Sequence, residues 1–245
     1  MIRYRLVTDH IELKKMAYCR IDHGRELIHF TRDAEDWDYH KSYQRFYDIV
    51  QEGKLKASST DRLGSIKSLC FTESPYTCLT DGAKLNKKYF SRYSPFGFQF
   101  SKDYMYEKGG LPVIYSPKNQ FDETNKDTNW RTVSYDPIGH YGGYRDFSWE
   151  REWRIKPEND EFEIDKTKVK LIFPSDEWAE KFRNDHDEFH KDGKCDCHCT
   201  REAKFIEYDR YHSREKYGEL KGTCPDPTKF PWVLLSMNCD NVPKP

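Results

Sequence analysis

Apolar and polar positions alternate with a period of two in several short stretches and follow helical spacing in another. RELIHFTRD (25–33), KSLCFTESP (67–75) and PFGFQF (95–100) show the alternation of half-buried strands, and the last places its three phenylalanines on one face. KSYQRFYDIVQEG (41–53) carries its aromatic and aliphatic residues at helical spacing and closes at Gly53, which predicts a helix with a glycine cap.

Further elements follow in the middle of the chain. Ser101 is placed to cap a short helix through Lys108, and two glycines separate that helix from the predicted strand LPVIY (111–115). Residues 117–148 are polar and rich in Asn, Asp, Gly and Tyr, which predicts a long loop. Long loops that feed a short strand are common places for functional residues.

The last clear elements set the expected domain organisation. KVKLIFPS (168–175) predicts a strand, and Ser175 is placed to cap the helix DEWAEKFRND (176–185). Strands and helices are intermixed without a regular βαβ order, so we expect the α+β class. Beyond this helix the chain is charged and rich in Cys and Pro, which predicts a core domain over 1–184 and an appendage over 185–245.

The stretch WEREWRI (149–155) raises a question of chemistry, because two acids stand two residues apart between tryptophans. As a strand it would place alternate residues on opposite faces. These two sets would be Trp149, Arg151, Trp153 and Ile155 against Glu150, Glu152 and Arg154. Two like charges on one face repel, so the pattern suggests a paired-carboxylate site. The alternative is a solvated strand face on which Arg154 neutralises one acid.

Composition narrows the class of protein. The chain has 245 residues, 36% of them hydrophobic, 34% charged and 16% aromatic, and the aromatic share supplies burial enough for a folded core. The formal net charge of −1 gives no global basic field for long duplex DNA or membranes. The sequence shows neither a signal-like start nor a run of 18 apolar residues, so a cytoplasmic location without membrane attachment is expected.

Cysteines cluster in one polar region of the C-terminal part. KCDCHCT (194–200) supplies Cys195, Cys197 and Cys199, and Cys224 follows in sequence. Zinc prefers four S or N ligands, but its usual spacing leaves two to four residues between cysteines, so C-x-C-x-C is a poor match. A zinc site, a disulfide or redox role, and a loop without a role remain open. The scattered cysteines are expected to be reduced thiols.

The usual catalytic signatures are absent from the sequence. It contains no G-x-G-x-x-G, no phosphate-binding G-x-x-x-x-G-K-[ST], no H-E-x-x-H and no G-x-S-x-G. The polar residues that end the predicted strands remain as candidates, in the segments HFT (29–31), CFTES (70–74) and WEREWR (149–154).

Three motifs in one order give a resemblance to a known family. CFTESP (70–75), GFQFSKDYMYEKG (97–109) and EREWR (150–154) resemble the motifs of abortive-infection proteins of the AbiGi type, which act in bacterial phage resistance. The resemblance covers roughly residues 25–180 and leaves the Cys-rich tail outside it. It implies either a role in phage defence or an antitoxin beside a separate toxin protein.

The chain also resembles, more distantly, the ADP-ribosyltransferases. That fold implies two small sheets around a cleft that binds NAD as a substrate. His29 with Thr31 would be the first element and Thr72 with Ser74 the second, although F-T-E-S stands where the family has S-T-S. The E-x-E of residues 150–152 would be the third.

The resemblance implies roles for these residues. Cleavage of the nicotinamide–ribose bond develops positive charge on the ribose, as in glycoside cleavage. Glu152 would stabilise that charge and hold a hydroxyl, while Glu150 would orient or deprotonate the acceptor. His29 would hydrogen-bond the ribose or the carboxamide.

Stacking and phosphate contacts complete the expected NAD site. Tyr43 or Tyr47 could stack on the nicotinamide, because a flat ring favours a flat partner. Arg32 or Arg45 could hold the pyrophosphate, because guanidinium matches phosphate oxygens bidentately.

Three functional hypotheses follow. The first is an NAD-dependent ADP-ribosyltransferase that modifies a protein or nucleic-acid target in phage defence or as a toxin. The second is a non-catalytic antitoxin or regulatory binding module with a partner protein. The third is a metal-dependent fold organised by the cysteine cluster.

Overall fold

The computed structural model describes residues 24–32, 38–59, 66–74, 80–81, 84–85, 93–120, 125–140, 143–191, 204–209, 214–219, 232–237, 239 and 242–245. The strands are β1 (Glu26–Arg32), β2 (Lys54–Lys56), β3 (Leu69–Thr72), β4 (Thr80–Asp81), β5 (Lys84–Leu85), β6 (Tyr93–Ser101), β7 (Leu111–Pro112), β8 (Ile114–Ser116), β9 (Thr132–Ser134), β10 (Glu152–Ile155), β11 (Glu161–Glu163), β12 (Val169–Phe173), β13 (Lys204–Asp209), β14 (Arg214–Glu219) and β15 (Val233–Ser236). The α-helices are α1 (Tyr39–Glu52), α2 (Lys102–Glu107), α3 (Lys126–Asn129) and α4 (Asp176–Lys191).

One mixed sheet dominates the described residues. Its nine strands follow the order β14-β13-β15-β12-β6-β1-β3-β10-β7. Neighbouring strands are antiparallel except where β15 pairs in parallel with β12 and β13. Three two-stranded pairings, β2–β11, β4–β5 and β8–β9, lie outside this sheet. The fold therefore mixes helices with a mostly antiparallel sheet, which agrees with the α+β class, but one nine-stranded sheet stands where the ADP-ribosyltransferase resemblance implies two small sheets.

The core lies between this sheet and two helices. Phe96, Phe98 and Phe100 of β6 are all fully buried on one sheet face, which confirms the alternation predicted for this strand. Phe46 of α1 contacts the rings of Phe96 and Phe98 and also packs against α4 through Phe182. Aromatic rings supply much of the buried area, so a chain with modest aliphatic content still forms a continuous core.

Helix α1 ends at Gly53 as its sequence predicts, but it begins at Tyr39, before the predicted start at Lys41. The Asp38 carboxylate accepts hydrogen bonds from the backbone N–H groups of His40 and Lys41, which satisfies two donors of the first turn. Gly53 ends the helix in the left-handed region with φ 70° and donates its N–H to the Ile49 carbonyl. The apolar stripe predicted from sequence is the face that packs on the sheet.

The structure corrects the prediction of a single strand over 149–155. Residues Ser148–Glu150 form a 3₁₀ turn, Arg151 adopts a left-handed conformation with φ 48°, and the strand begins only at Glu152. Glu150 therefore does not share a strand face with Glu152. The two acids come from a turn and from the strand that follows it.

Local hydrogen bonds explain why the turn replaces the strand. The Asp146 carboxylate accepts from both the N–H and the hydroxyl of Ser148, and the Asp146 carbonyl accepts from the indole of Trp149. Short polar side chains that bond to nearby backbone compete with strand formation. Trp149 consequently lies half in solvent, 52% exposed, instead of lining a buried strand face.

Two further predictions are corrected by longer-range packing. The segment predicted as a long loop, 117–148, contains α3 and β9, and β9 pairs in parallel with β8. The predicted boundary at residue 184 falls inside α4, which runs to Lys191. Strand β15 lies within the main sheet with Leu234 and Leu235 fully buried, so described residues beyond 184 belong to the core. The described helices include none that is both long and apolar enough to cross a bilayer.

We expect Phe46→Ala to lower the free energy of unfolding by about 3–5 kcal/mol, because it leaves a cavity between the sheet and both helices. Chemical denaturation measures this change. Tyr106→Ala is the matched control, since that ring is 63% exposed and its loss should change the free energy of unfolding by no more than about 0.5 kcal/mol. Equal losses in both variants would contradict this core.

Candidate functional site

The site forms where β1 and β3 separate. Ile28 of β1 pairs with Thr72 of β3, whereas β6 pairs with β1 along most of its length. Beyond that pair, the ring of His29 occupies the gap: its Nδ1 donates to the Cys70 carbonyl at 2.8 Å. The carbonyl can only accept, so Nδ1 carries a proton. A side chain thus takes the place of a strand-to-strand hydrogen bond.

A cavity of about 820 Å³ opens at this separation. Residues from both sides of the parted strands line it, together with residues of α1, the turn after β2, the segment around β9 and the start of β10. The lining includes His29, Thr31, Arg45, Ile49, Ser58, Ser59, Cys70, Thr132, Ser134, Tyr144, Arg145, Phe147, Glu150, Glu152 and Arg154. The separation of two strands therefore brings distant parts of the chain together.

Glu152 and Arg154 form a buried ion pair in this cavity. Arg154 Nε lies 2.8 Å from Glu152 Oε1, and Arg154 Nη2 lies 3.3 Å from Oε2, which is a side-on arrangement. Arg154 Nη1 also donates to the carbonyls of Trp130 and Thr132, each at 3.4 Å. Both side chains are less than a tenth exposed. Arg154 thus joins Glu152 to the segment that leads into β9.

The charge environment keeps the Arg154 guanidinium protonated. Burial acts to lower the pKa of Arg154, but the adjacent Cys70 and Glu152 side chains raise it, and the net direction is upward. Cys70 is the residue opposite Arg154 in the β3–β10 register, which explains this proximity.

The turn that carries Glu150 is fixed to β3. The Thr72 hydroxyl donates to the Glu150 carbonyl at 2.6 Å, and the Ser74 hydroxyl donates to the Trp149 carbonyl at 2.7 Å. The backbone N–H of Ser74 in turn donates to the Thr72 hydroxyl oxygen at 3.0 Å. These bonds hold the backbone next to Glu150, whose side chain is half-buried at the cavity.

A second, buried carboxylate supports the same turn. Glu73 accepts a hydrogen bond from the Trp153 indole at 2.8 Å and forms an ion pair with Lys102 at 2.8 Å. Arg151 Nη2 lies 3.4 Å from the same carboxylate, and the backbone N–H of Glu73 donates to the Arg151 carbonyl. Gly24 is required beside it, because a Cβ there would lie 2.4 Å from the Glu73 carbonyl oxygen.

Tyr115 adds a neutral phenol near the two acids. Its hydroxyl donates to the Phe147 carbonyl at 2.9 Å. Burial raises the pKa of Tyr115, and the negative charges of Glu152 and Glu150 raise it further. The phenol therefore stays protonated at neutral pH and keeps Phe147, a residue of the cavity wall, in place.

The structure brings five of the proposed site residues to the cavity: His29, Thr31, Arg45, Glu150 and Glu152. The Thr31 hydroxyl contacts the Ser94 hydroxyl and donates to the Phe96 carbonyl at 3.1 Å, so it also fastens β1 to β6. The side chain of Arg32 lies outside the described residues, and so does the cysteine cluster of residues 195–224. Within the described ranges, no group of three or more metal-ligating side chains is present.

The structure corrects the prediction that Tyr43 or Tyr47 stacks on the nicotinamide, because both rings pack between helices. Neither belongs to the described cavity lining. The Tyr43 hydroxyl donates to the Asp185 carboxylate at 2.7 Å, and the Tyr47 hydroxyl donates to the Asp185 carbonyl at 3.3 Å. They join α1 to α4, because their helical spacing places both rings on the packed face of α1.

The structure also corrects the prediction that Thr72 and Ser74 contact NAD. They are buried and lie outside the described cavity lining, and their hydroxyls bond to the backbone of the 3₁₀ turn. Their role is to fix the turn that carries Glu150, which no period-two pattern reveals.

Sequence reasoning also missed residues of the cavity wall. The sequence does not distinguish Cys70 from the other scattered thiols, and Arg145 and Ser134 lie in the segment that the sequence predicts to be a loop. The sequence predicts the pairing of Arg154 with an acid only as the neutralisation of a solvated strand face. Two signals were available: Asp146 two residues before Ser148, which is typical of a capped turn, and the alternation of Thr132 to Ser134.

Comparisons of the chain with family models, with curated proteins and with solved structures give no match. The resemblances to AbiGi-type proteins and to ADP-ribosyltransferases rest on the motifs alone.

We expect Thr72→Val to lower the free energy of unfolding by about 1–3 kcal/mol, because the Glu150 carbonyl loses its donor. Thermal or chemical denaturation measures the loss. Thr72→Ser keeps the hydroxyl and is the control that should retain most of the stability. Unchanged stability in Thr72→Val would contradict the structural role and favour a ligand contact.

Proposed function

We propose that this chain is an NAD-dependent ADP-ribosyltransferase that modifies a protein or nucleic-acid target in phage defence or as a toxin. The observation that carries the proposal is the meeting of His29, Glu150 and Glu152 at one cavity. These are the residue types that the ADP-ribosyltransferase resemblance requires at its first and third elements. The order of the AbiGi-like motifs supports the setting in phage defence.

The size and lining of the cavity suit a dinucleotide. A volume of about 820 Å³ lies within the usual range of small-molecule sites. Hydroxyl groups of Ser58, Ser59 and Ser134 offer partners for ribose hydroxyls. Arg45 and Arg145 supply guanidinium groups suited to a pyrophosphate. Polar and cationic groups therefore surround the space in which the two acids act.

Glu152 would stabilise the reacting ribose. When the bond between the nicotinamide nitrogen and ribose C1′ breaks, its electron pair goes to the pyridinium ring, and nicotinamide leaves as a neutral molecule. Positive charge then develops on the ribose. A buried, fixed carboxylate stabilises that charge more strongly than it would in water.

Glu150 would act as the general base for the acceptor. A lone pair on the acceptor atom forms the new bond to C1′, and the acceptor proton passes to the Glu150 carboxylate. The half-buried position of Glu150 on a turn at the cavity is compatible with access by a second substrate. The two acids thus have separate roles because one lies on a strand and the other on a turn.

His29 would orient NAD by a hydrogen bond with its ring. The proton on Nδ1 is directed to the Cys70 carbonyl, so in the neutral imidazole Nε2 carries the lone pair. This arrangement fixes the ring and suits a hydrogen bond with a ribose hydroxyl or the carboxamide N–H.

We expect Glu152→Gln to lower kcat for NAD-dependent modification by at least about 100-fold, because the amide has no negative charge for the ribose. Release of labelled nicotinamide measures the rate, and circular dichroism checks the fold. The matched control is Glu107→Gln on the exposed side of α2, which should keep the wild-type rate. An unaltered rate in Glu152→Gln would remove Glu152 from the mechanism.

We expect NAD to protect Cys70 from alkylation, because this half-buried thiol lines the cavity. At an NAD concentration ten times its Kd, labelling should slow roughly tenfold, in proportion to the unoccupied fraction. Peptide mass spectrometry after iodoacetamide treatment measures each cysteine separately. Cys239, which is buried among other residues, is the internal reference, and equal labelling of Cys70 with and without NAD would place the ligand elsewhere.

A second candidate is the non-catalytic antitoxin or regulatory binding module. The observation that favours it is the side-on pairing of Glu152 with Arg154, since buried ion pairs often serve structure alone. Expression of the chain alone in bacteria separates the two candidates. Growth arrest that Glu152→Gln relieves supports the enzyme, whereas unimpaired growth together with undetectable NAD binding by calorimetry supports the module.

A further inference from the structure

We infer that Arg154 is the positioning residue of this site and fixes Glu152 in the orientation needed for transfer. The inference rests on the proposed function. It assigns a role to an interaction that would otherwise be a structural ion pair.

The geometry distinguishes Arg154 from an ordinary strand cation. Glu152 and Arg154 lie two apart on β10, so their side chains project from the same face. The guanidinium meets the carboxylate side-on through two nitrogens, at 2.8 and 3.3 Å. A planar fork of this kind constrains both the position and the rotation of the carboxylate.

Arg154 is itself held from the opposite side. Its third nitrogen, Nη1, donates to the carbonyls of Trp130 and Thr132. The side chain is 5% exposed, so burial removes most of its freedom. Arg154 therefore connects Glu152 to the backbone that leads into β9, and the carboxylate takes its position from that backbone.

The pairing leaves Glu152 able to act. A carboxylate has about four acceptor positions, and the two bonds from Arg154 use two of them. The remaining positions can accept a ribose hydroxyl. The permanent positive charge of Arg154 meanwhile compensates the negative charge of a buried acid, which would be costly to leave alone.

A purely structural ion pair makes a different prediction. Its loss would lower stability, but the fraction of enzyme that remains folded would keep its kcat. A positioning residue instead affects kcat in folded protein with little change in KM, because the carboxylate acts mainly in the transition state. The two roles are therefore separable by steady-state kinetics on protein of verified fold.

The test compares Arg154→Lys and Arg154→Gln with wild type. Lysine keeps the positive charge but loses the planar, two-nitrogen contact with the carboxylate. Glutamine loses both the charge and that contact. We expect kcat to fall about tenfold in Arg154→Lys and about 100-fold in Arg154→Gln, with KM for NAD within about threefold of wild type, as for a misplaced catalytic group. Should Arg154→Gln fail to fold, Arg154→Lys carries the test.

Arg183→Lys is the matched control. Arg183 lies half-buried on α4 and outside the described cavity lining, so the variant makes the same change of side chain away from the site, and its rate should equal that of wild type. An equal fall in kcat for Arg183→Lys and Arg154→Lys would overturn the inference, and so would a wild-type kcat in folded Arg154→Lys. A wild-type protein that neither binds nor turns over NAD would overturn the proposed function and this inference together.

Discussion

The separation of β1 from β3 is the constraint on which the site depends. A sheet that continued its ladder beyond Ile28 and Thr72 would leave no space between these strands. The backbone groups exposed by the separation still need partners, and the His29 imidazole supplies one for the Cys70 carbonyl. The same side chain thus satisfies the opened strand and faces the cavity, so architecture and candidate chemistry share a residue.

The turn before β10 is the second requirement. Arg151 lies in the left-handed region, which disfavours non-glycine residues, and Glu73 compensates by an ion pair to its side chain and a hydrogen bond to its backbone. Thr72 and Ser74 bind the carbonyls of Glu150 and Trp149 in the same turn. The CFTES segment therefore supports the turn that carries Glu150, and its hydroxyls bond to backbone where the resemblance implies ligand contacts.

The sequence allowed prediction of elements whose signal is local. The alternating phenylalanines of β6 and the capped, amphipathic α1 follow from periodicities that the core preserves. The turn at 148–151 was missed because hydrogen bonds from Asp146 and Thr72 outweigh the period-two pattern. Cys70 and Arg145 were missed because their meeting at the cavity depends on where strands part, which one segment alone does not encode.

The place of β15 has a consequence for biosynthesis. This strand lies between β12 and β13 with side chains buried on both faces, and the Trp178 indole donates to the carbonyl of Pro243. Until residues 232–236 leave the ribosome, β12 remains an edge strand, and the aromatic core is not fully covered. The sheet therefore cannot be completed before residue 236 has been translated, and until then β12 offers chaperones an exposed strand edge.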